Sequence, residues 1–527
     1  MLSARVCGCG RRGLWWGLAA GAVVLAAALV LRWAAFPAIL TAKITQAVQI
    51  QDGSAAMERF VQLPQPLLYK AYLFNVTNPD QVSLGAKPAL QEVGPYVYEE
   101  WRRRRDVTRL EDGSLSYRLE TTFRFSPERS PGLSEDDEFT YLNVVMMGIV
   151  VQVAEDYASM LTMVEPVLSE LLSGGAQLFL RATARQLLWD GVPTVDCRGN
   201  LSAVAVLACS ALPSLLPPTV QQAQPGVYAF SFFGFKNGTA RQWWRVDPGL
   251  SDVRSLGAVL SYDNSSRLKV WTPASSPCND IRGTDSTIFP PFRDPKEPIV
   301  AFGADLCLSL GATWERSAEY MGVPGNRYTG EMPDMTGNPE HHCYCPSETS
   351  CLEKGALDLS PCAGAPVIAT LPHFYLSSES YLRTVSGLQP TKEHHELFMV
   401  FESTTGSPME ARKRLQFNMF LHKINKIDLL ANVPYALMPL IWVEEGLALE
   451  EKYVSTLRML FKMQGIMSGV KWTMMVVGMG MAGAGGYLHF KRRKELVVGP
   501  AEPKKVAAGH AEPPGHPIRL ESSHSRY

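Results

Sequence analysis

The chain has 527 residues, of which 46% are hydrophobic and 19% charged, and a formal net charge of -1. Such a composition suits a globular protein with membrane content, and so small a net charge excludes nucleic acid as a general partner. The charge is unevenly spread: residues 1–12 hold Arg5, Arg11 and Arg12 without an acid, residues 491–527 sum to +4, and the stretch between sums to -8.

The first element is a run of 19 uncharged residues from Gly13 to Leu31. A membrane-crossing helix needs roughly 20 apolar residues, because each adds about 1.5 Å and every backbone polar group must bond internally. A span is therefore predicted over 13–32, behind an N-tail of 1–12 in which Cys7 and Cys9 are candidates for palmitoylation. A cleaved signal peptide is the competing reading, with Ala26, Ala27 and Ala28 as the cleavage site. The run is longer than a usual signal core, so an uncleaved anchor is preferred.

Leu115, Tyr117, Leu119, Thr121, Phe123 and Phe125 alternate with more polar residues, which predicts a strand with one apolar face. Asp112-Gly113 is a turn signal, and Tyr96 to Val107 forms the preceding strand of a hairpin. The basic run Arg102 to Arg105 admits a processing site or an anionic-ligand patch. It is read as the solvated side and end of that strand, opposite Glu135-Asp136-Asp137-Glu138. From about Leu142 to Trp189 long apolar stretches, broken near Pro166 and Ser173-Gly174-Gly175, predict two or three helices. Leu415, Phe417, Met419 and Leu421 alternate again. Many short strands separated by Gly, Pro and Asn argue for an antiparallel sheet or barrel.

Eight of the ten cysteines lie between the ends: Cys197, Cys209, Cys278, Cys307, Cys343, Cys345, Cys351 and Cys362. An even number there reads as a disulfide framework whose pairing spacing alone cannot choose. His341-His342-Cys343-Tyr344-Cys345 invites a zinc reading, but its spacing with Cys351 is not a usual zinc pattern, and no metal is expected. Asn75, Asn200, Asn237 and Asn264 each open an Asn-x-Ser/Thr sequon and are the expected N-glycosylation sites. His394-His395-Glu396 resembles an active-site cluster and is read as an exposed turn after Pro390. No nucleophile elbow, metalloprotease helix, phosphate loop or dinucleotide fingerprint occurs, so neither catalysis nor a cofactor is expected.

A second run of 19 residues, Trp472 to Phe490, contains only His489 as a titratable group and is followed by Lys491, Arg492, Arg493 and Lys494. It predicts a second span over 472–490; a buried core helix is the alternative, disfavoured by the glycines and the basic stop. Positive charge at both outer flanks then places both termini in the cytoplasm and residues 33–471 on the other side. Gly13, Gly17 and Gly21, and likewise Gly478, Ala482 and Gly486, fall at four-residue spacing, a small-residue face on which anchors pair or oligomerise. The tail 491–527 is rich in Pro and Gly and is expected to be disordered.

Val93-Gly94-Pro95-Tyr96-Val97-Tyr98, Leu187-Leu188-Trp189, Gly283-Thr284-Asp285 with Phe289-Pro290-Pro291-Phe292, Leu371-Pro372-His373-Phe374 and Pro439-Leu440-Ile441-Trp442 resemble motifs of the class B scavenger receptors over about residues 37–490. Cys278-Asn279-Asp280-Ile281, Cys343-Tyr344-Cys345 and Ala411 to Asn418 are most similar to its branch of insect sensory neuron membrane proteins. The resemblance implies an α+β fold: an antiparallel, barrel-like ectodomain with a helical bundle at its apex, an apolar tunnel, and one transmembrane helix near each terminus. It implies the pairs Cys278–Cys343, Cys307–Cys362 and Cys345–Cys351, leaving Cys197 and Cys209 for a fourth. It further implies a plasma-membrane co-receptor, in a sensory neuron dendrite, that takes lipids or pheromone-like molecules near Leu142 to Trp189 and passes them toward the bilayer or an odorant receptor channel. A lysosomal or general scavenger receptor is the alternative, and a lipid-hydrolysing ectoenzyme a third. Some relatives carry an apical lysine pair suited to a fatty-acid carboxylate. Leu171 to Gln177 here has none, which favours neutral ligands over free fatty acids.

Overall fold

A computed structural model describes residues 11–347 and 350–497. Cys7, Cys9 and most of the C-terminal tail lie outside the described residues. The chain forms two compact units, a large one of Ile39–Met463 and a terminal one built from both ends of the chain.

The large unit is organised by one antiparallel sheet. Its main strands, in chain order, are β1 (Leu67–Val76), β2 (Leu90–Arg109), β3 (Leu115–Phe125), β4 (Trp243–Val246), β5 (Val259–Tyr262), β6 (Ile299–Gly303), β7 (Leu308–Tyr320), β8 (Val323–Gly330), β9 (Leu397–Glu402), β10 (Ser407–Leu421) and β11 (Ala436–Ala448). Across the sheet the order is β5-β4-β3-β2-β1-β11-β10-β9-β8-β7-β6. Each strand thus pairs with its neighbour in sequence, except that β1 pairs with β11 and the two edges are β5 and β6. The segment between those edges stitches them together. Val259 N–H donates to Gly283 O at 2.9 Å and Phe302 N–H to Thr284 O at 2.8 Å. Gly283 has φ 82°, and a Cβ there would lie 2.1 Å from Val300 O, so only glycine fits this closure. The sheet is nearly closed, which leaves little unpaired edge.

The predicted hairpin is present, with β2 beginning earlier than Tyr96. Leu115 and Tyr117 are fully buried on the apolar face of β3. Between β3 and β4 lies a helical insert with the helices Val144–Asp156, Leu161–Leu171 and Ala203–Leu215. Asn143 and Ser202 cap two of them by accepting from Met146 N–H and Ala205 N–H. The first helix bends by 119° into the segment Ala158–Leu171. Within 142–189 the chain also forms a strand, Phe179–Thr183, paired with Glu138–Leu142. The third helix falls after that stretch.

Helix Trp15–Val48, most of which belongs to the terminal unit, is, among the described residues, the one long and apolar enough to cross a membrane, by length and composition. It runs past the 13–32 expected for it, because Arg32 does not interrupt the helical backbone. Trp472–Phe490 lies within helix Glu451–Val497. The two helices touch through small residues. A Cβ on Gly21 would meet Ala482 N at 2.7 Å, and one on Gly478 would meet Leu25 Cγ at 2.7 Å. Gly17 and Gly486 face no neighbour within 4 Å, and Gly485 packs on Leu18 instead. The Arg32 guanidinium lies 5.1 Å from the Trp472 ring and the Lys471 ammonium 4.0 Å from the Phe36 ring.

Candidate functional site

Strand register fixes which side chains share the inner face of the sheet. Tyr69 lies opposite Glu445 on β11 and Tyr98 on β2, and Glu445 lies opposite Lys413 on β10. Directly opposed residues point the same way, and period two adds Glu100 and Arg102 to that face. Aromatic rings crowd it on one side: Trp189 sits 4.9 Å from Tyr98, 4.6 Å from Phe123 and 6.1 Å from Phe233, ring to ring.

Beside the rings lies a charged belt. Arg102 donates to Glu100 and to Glu445, both at 2.7 Å. The turn between β6 and β7 brings in Asp305, whose Oδ1 accepts from Lys236 Nζ at 2.6 Å. Burial pushes the Asp305 carboxyl up, and Lys236, Lys413 and Arg102 more than offset that, holding it at about 2. Yet 52% of its side chain is accessible. Asp305 thus joins a desolvated carboxylate to accessible side-chain surface beside the charged belt. Burial pushes Glu100 well above the usual carboxylate range, against Arg102. Glu445 feels the same burial but is held low by Arg102 and Lys413. Arg102 is thus shared between two carboxylates that burial pushes up and the neighbouring cations pull down.

The inner face of the sheet is therefore not apolar throughout: its aromatic part adjoins ionisable groups on three strands. A separate, small cavity is apolar; it lies where β1 and β11 meet the strand Glu138–Leu142.

The opposite face of the sheet carries a second polar constellation, which sequence reading missed. Trp442 Nε1 donates to Glu92 at 2.6 Å, and His373 Nε2 meets the same carboxylate oxygen. His395 stacks on His373 at 4.3 Å, and Tyr72 stacks on Trp442 at 3.6 Å. The motifs Leu371 to Phe374 and Pro439 to Trp442 thus meet in space. His394-His395-Glu396 is not an exposed turn: His395 and Glu396 are buried, because His395 stacks on His373 and Glu396 accepts from Arg327 at 2.6 Å.

The basic run also differs from its reading. Arg104 is buried, donating to Asp285, to Thr287 and to Phe60 O, while Arg105 pairs with Glu120. Glu135 pairs instead with Arg185 and accepts from the Tyr98 hydroxyl. Alternate strand residues face opposite ways, so four consecutive arginines cannot share one partner cluster.

Disulfides join Cys197–Cys209, Cys278–Cys343, Cys307–Cys362 and Cys345–Cys351. The last consumes the thiols beside His342, whose ring nitrogen lies within 4.0 Å of both sulfurs. Of the sequon asparagines, Asn200, Asn237 and Asn264 are exposed and Asn75 is half-buried. The side-chain oxygens of Asn75 and Asn237 accept from Thr140 N–H and Phe123 N–H.

The CD36 family model matches residues 19–489, nearly the whole described chain. The chain belongs to the CD36 family. Among curated relatives, a sensory neuron membrane protein 1 of Apis mellifera is 38% identical over 475 residues, 90% of each chain. That of Anopheles gambiae is 34% identical, covering 93% of this chain and 90% of its own. Sensory neuron membrane protein 2 of Drosophila melanogaster is 33% identical over 89% of this chain and 96% of its own. As a member of the CD36 family the chain is a disulfide-bonded membrane receptor, with a candidate membrane helix near its N-terminus.

Proposed function

We propose that this CD36-family chain is a plasma-membrane co-receptor for lipophilic, pheromone-like molecules, working without catalysis. Both termini are cytoplasmic, the helices over 13–32 and 472–490 cross the bilayer, and residues 33–471 face outward with the helical insert at their apex, glycosylated at Asn75, Asn200, Asn237 and Asn264. Ligands enter near the insert and pass through the lumen toward the membrane or an odorant receptor channel, in the dendrite of a sensory neuron. The single observation that carries this reading is the aromatic wall on the inner face of the nearly closed sheet, formed partly by Tyr69, Tyr98, Phe123 and Trp189. An apolar chain leaving water for such a wall gains roughly 25 cal/mol per Å² buried. The lack of lysine from Leu171 to Gln177 supports neutral ligands over free fatty acids.

Native mass spectrometry of the full chain in detergent, against a panel of long-chain aldehydes, esters, alcohols and fatty acids, tests this. Discrete one-to-one adducts with the neutral compounds are expected. No adduct with either class would end the transfer mechanism.

A further inference from the structure

The terminal unit brings two cations to one junction. Arg32 and Phe36 stand on helix Trp15–Val48, and Lys471 and Trp472 on helix Glu451–Val497. The Arg32 guanidinium reaches across to the Trp472 ring, and the Lys471 ammonium reaches back to the Phe36 ring. Arg32 thus touches the residue next to Lys471, and Lys471 touches one a turn beyond Arg32, so the two charges are neighbours. The backbone is adjusted at this point. Phe36 N–H donates to Leu31 O, five residues back, and the helix widens over Leu31–Ala35. Such single wide turns are rare and recur at functional sites. Lys471 is only 8% exposed. No Asp or Glu occurs in 13–51 or in 452–494, and among the described residues neither cation is ion-paired. A ring face attracts a cation through its quadrupole but carries no charge to neutralise it. Two adjacent positive groups drawn into protein therefore still lack a counter-charge.

We propose that Arg32 and Lys471 bind the phosphate diester of one glycerophospholipid at the outer boundary of the bilayer. The proposal rests on the reading of 13–32 and 472–490 as spans, which puts position 32 at the end of one and 471 at the start of the other, both on the outer side. Charged side chains there ordinarily snorkel outward to water. These two instead turn sideways, each onto the other helix, and the aromatic contacts hold them in place before any lipid arrives. At that depth lipid phosphate is the abundant anion. A guanidinium and an ammonium together supply the donors that its two unesterified oxygens accept. Trp33 and Trp472 are exposed at the same level, where interfacial tryptophans sit. The bound lipid then bridges the two helices.

The test uses the full chain in maltoside detergent, native mass spectrometry and three probes: dioleoylphosphatidylglycerol, dioleoylglycerol and inorganic phosphate. One phosphatidylglycerol adduct is expected on wild type. Dioleoylglycerol, which lacks the phosphate, and inorganic phosphate, which lacks the chains, are expected to bind far more weakly. Arg32→Gln is expected to weaken phosphatidylglycerol about fivefold, and Arg32→Gln with Lys471→Gln roughly thirtyfold, the effects of removing one and two cations beside an anionic lipid. Lys471→Arg keeps the charge and is expected to bind as wild type does. A single cooperative melting transition shows that each variant folds. No phosphatidylglycerol adduct on wild type, equal binding by the double variant, or equal binding of dioleoylglycerol by wild type overturns the site. Preferential binding of inorganic phosphate gives the cations to a soluble anion and overturns the lipid assignment. The membrane placement is checked separately, on intact cells, with a membrane-impermeant maleimide. It is expected to label Gln51→Cys; no labelling overturns that placement, and the outer-leaflet site with it.

Discussion

At the scale of single residues, the polar constellation on the outer face of the sheet makes a pH-dependent contribution to stability. Burial first, and then the neighbouring His373, holds the His395 imidazole down at about 4, against 6.5 for an ordinary histidine. On acidification the unfolded chain therefore takes up this proton before the folded one does. The stability is complete above pH 6.5 and is lost as pH falls from there through about 4. Allowing for the solvent that still reaches the ring, the loss is about 1–2 kcal/mol. His395→Asn, whose side-chain oxygen can replace Nδ1 as acceptor for Thr391 N–H, is expected to flatten that part of the pH profile in urea unfolding. An unchanged slope would show that the imidazole does not titrate in this window.

At the scale of elements, the pairing of β1 with β2 shifts register between Ala71 and Leu73, where Gly94 crosses Tyr72. A Cβ on Gly94 would lie 2.7 Å from the Tyr72 ring and 2.9 Å from Ala71 O. Gly94→Ala pushes Tyr72 off Trp442 and is expected to cost about 1–3 kcal/mol, as overpacking does, read as a lower denaturant midpoint. The helix Ala203–Leu215 has few buried residues, only Ala205 and Leu212, and is tied by Cys197–Cys209 across a separation of 12. Cys209→Ser releases a loop constraint worth about 3 kcal/mol to this element. Limited proteolysis is expected to cut first within 198–219 in the variant, and a cleavage pattern identical to wild type would show that the bridge is dispensable.

At the scale of the whole molecule, the strand order closes because β1 and β11 pair in the middle while the sequence-adjacent edges are stitched through Gly283 and Thr284. In the terminal unit, the contact between the two long helices depends on Gly21 and Gly478. Without a hydrophobic driving force in lipid, close backbone approach supplies much of such an association. Gly21→Leu is expected to abolish disulfide trapping in membranes between cysteines introduced as Trp15→Cys and His489→Cys, whose native rings lie 5.8 Å apart, while leaving ligand binding intact. Trapping as efficient as in the glycine parent would show that the helices pair by another surface.

By itself the sequence determined the long apolar helix near the N-terminus, the hairpin around Asp112-Gly113, the break at Gly174-Gly175 and the family, because each depends on residues close together in the chain. Only the tertiary structure decided which side of a strand is inside. Arg102 reads as solvated in any local pattern; that it is turned inward to meet Glu445, more than three hundred residues away, depends on β1 lying between β2 and β11. The same holds for His395, which looks like a surface residue until His373 stacks on it. Periodicity records how polar a face is; closure of the sheet settles what that face encloses.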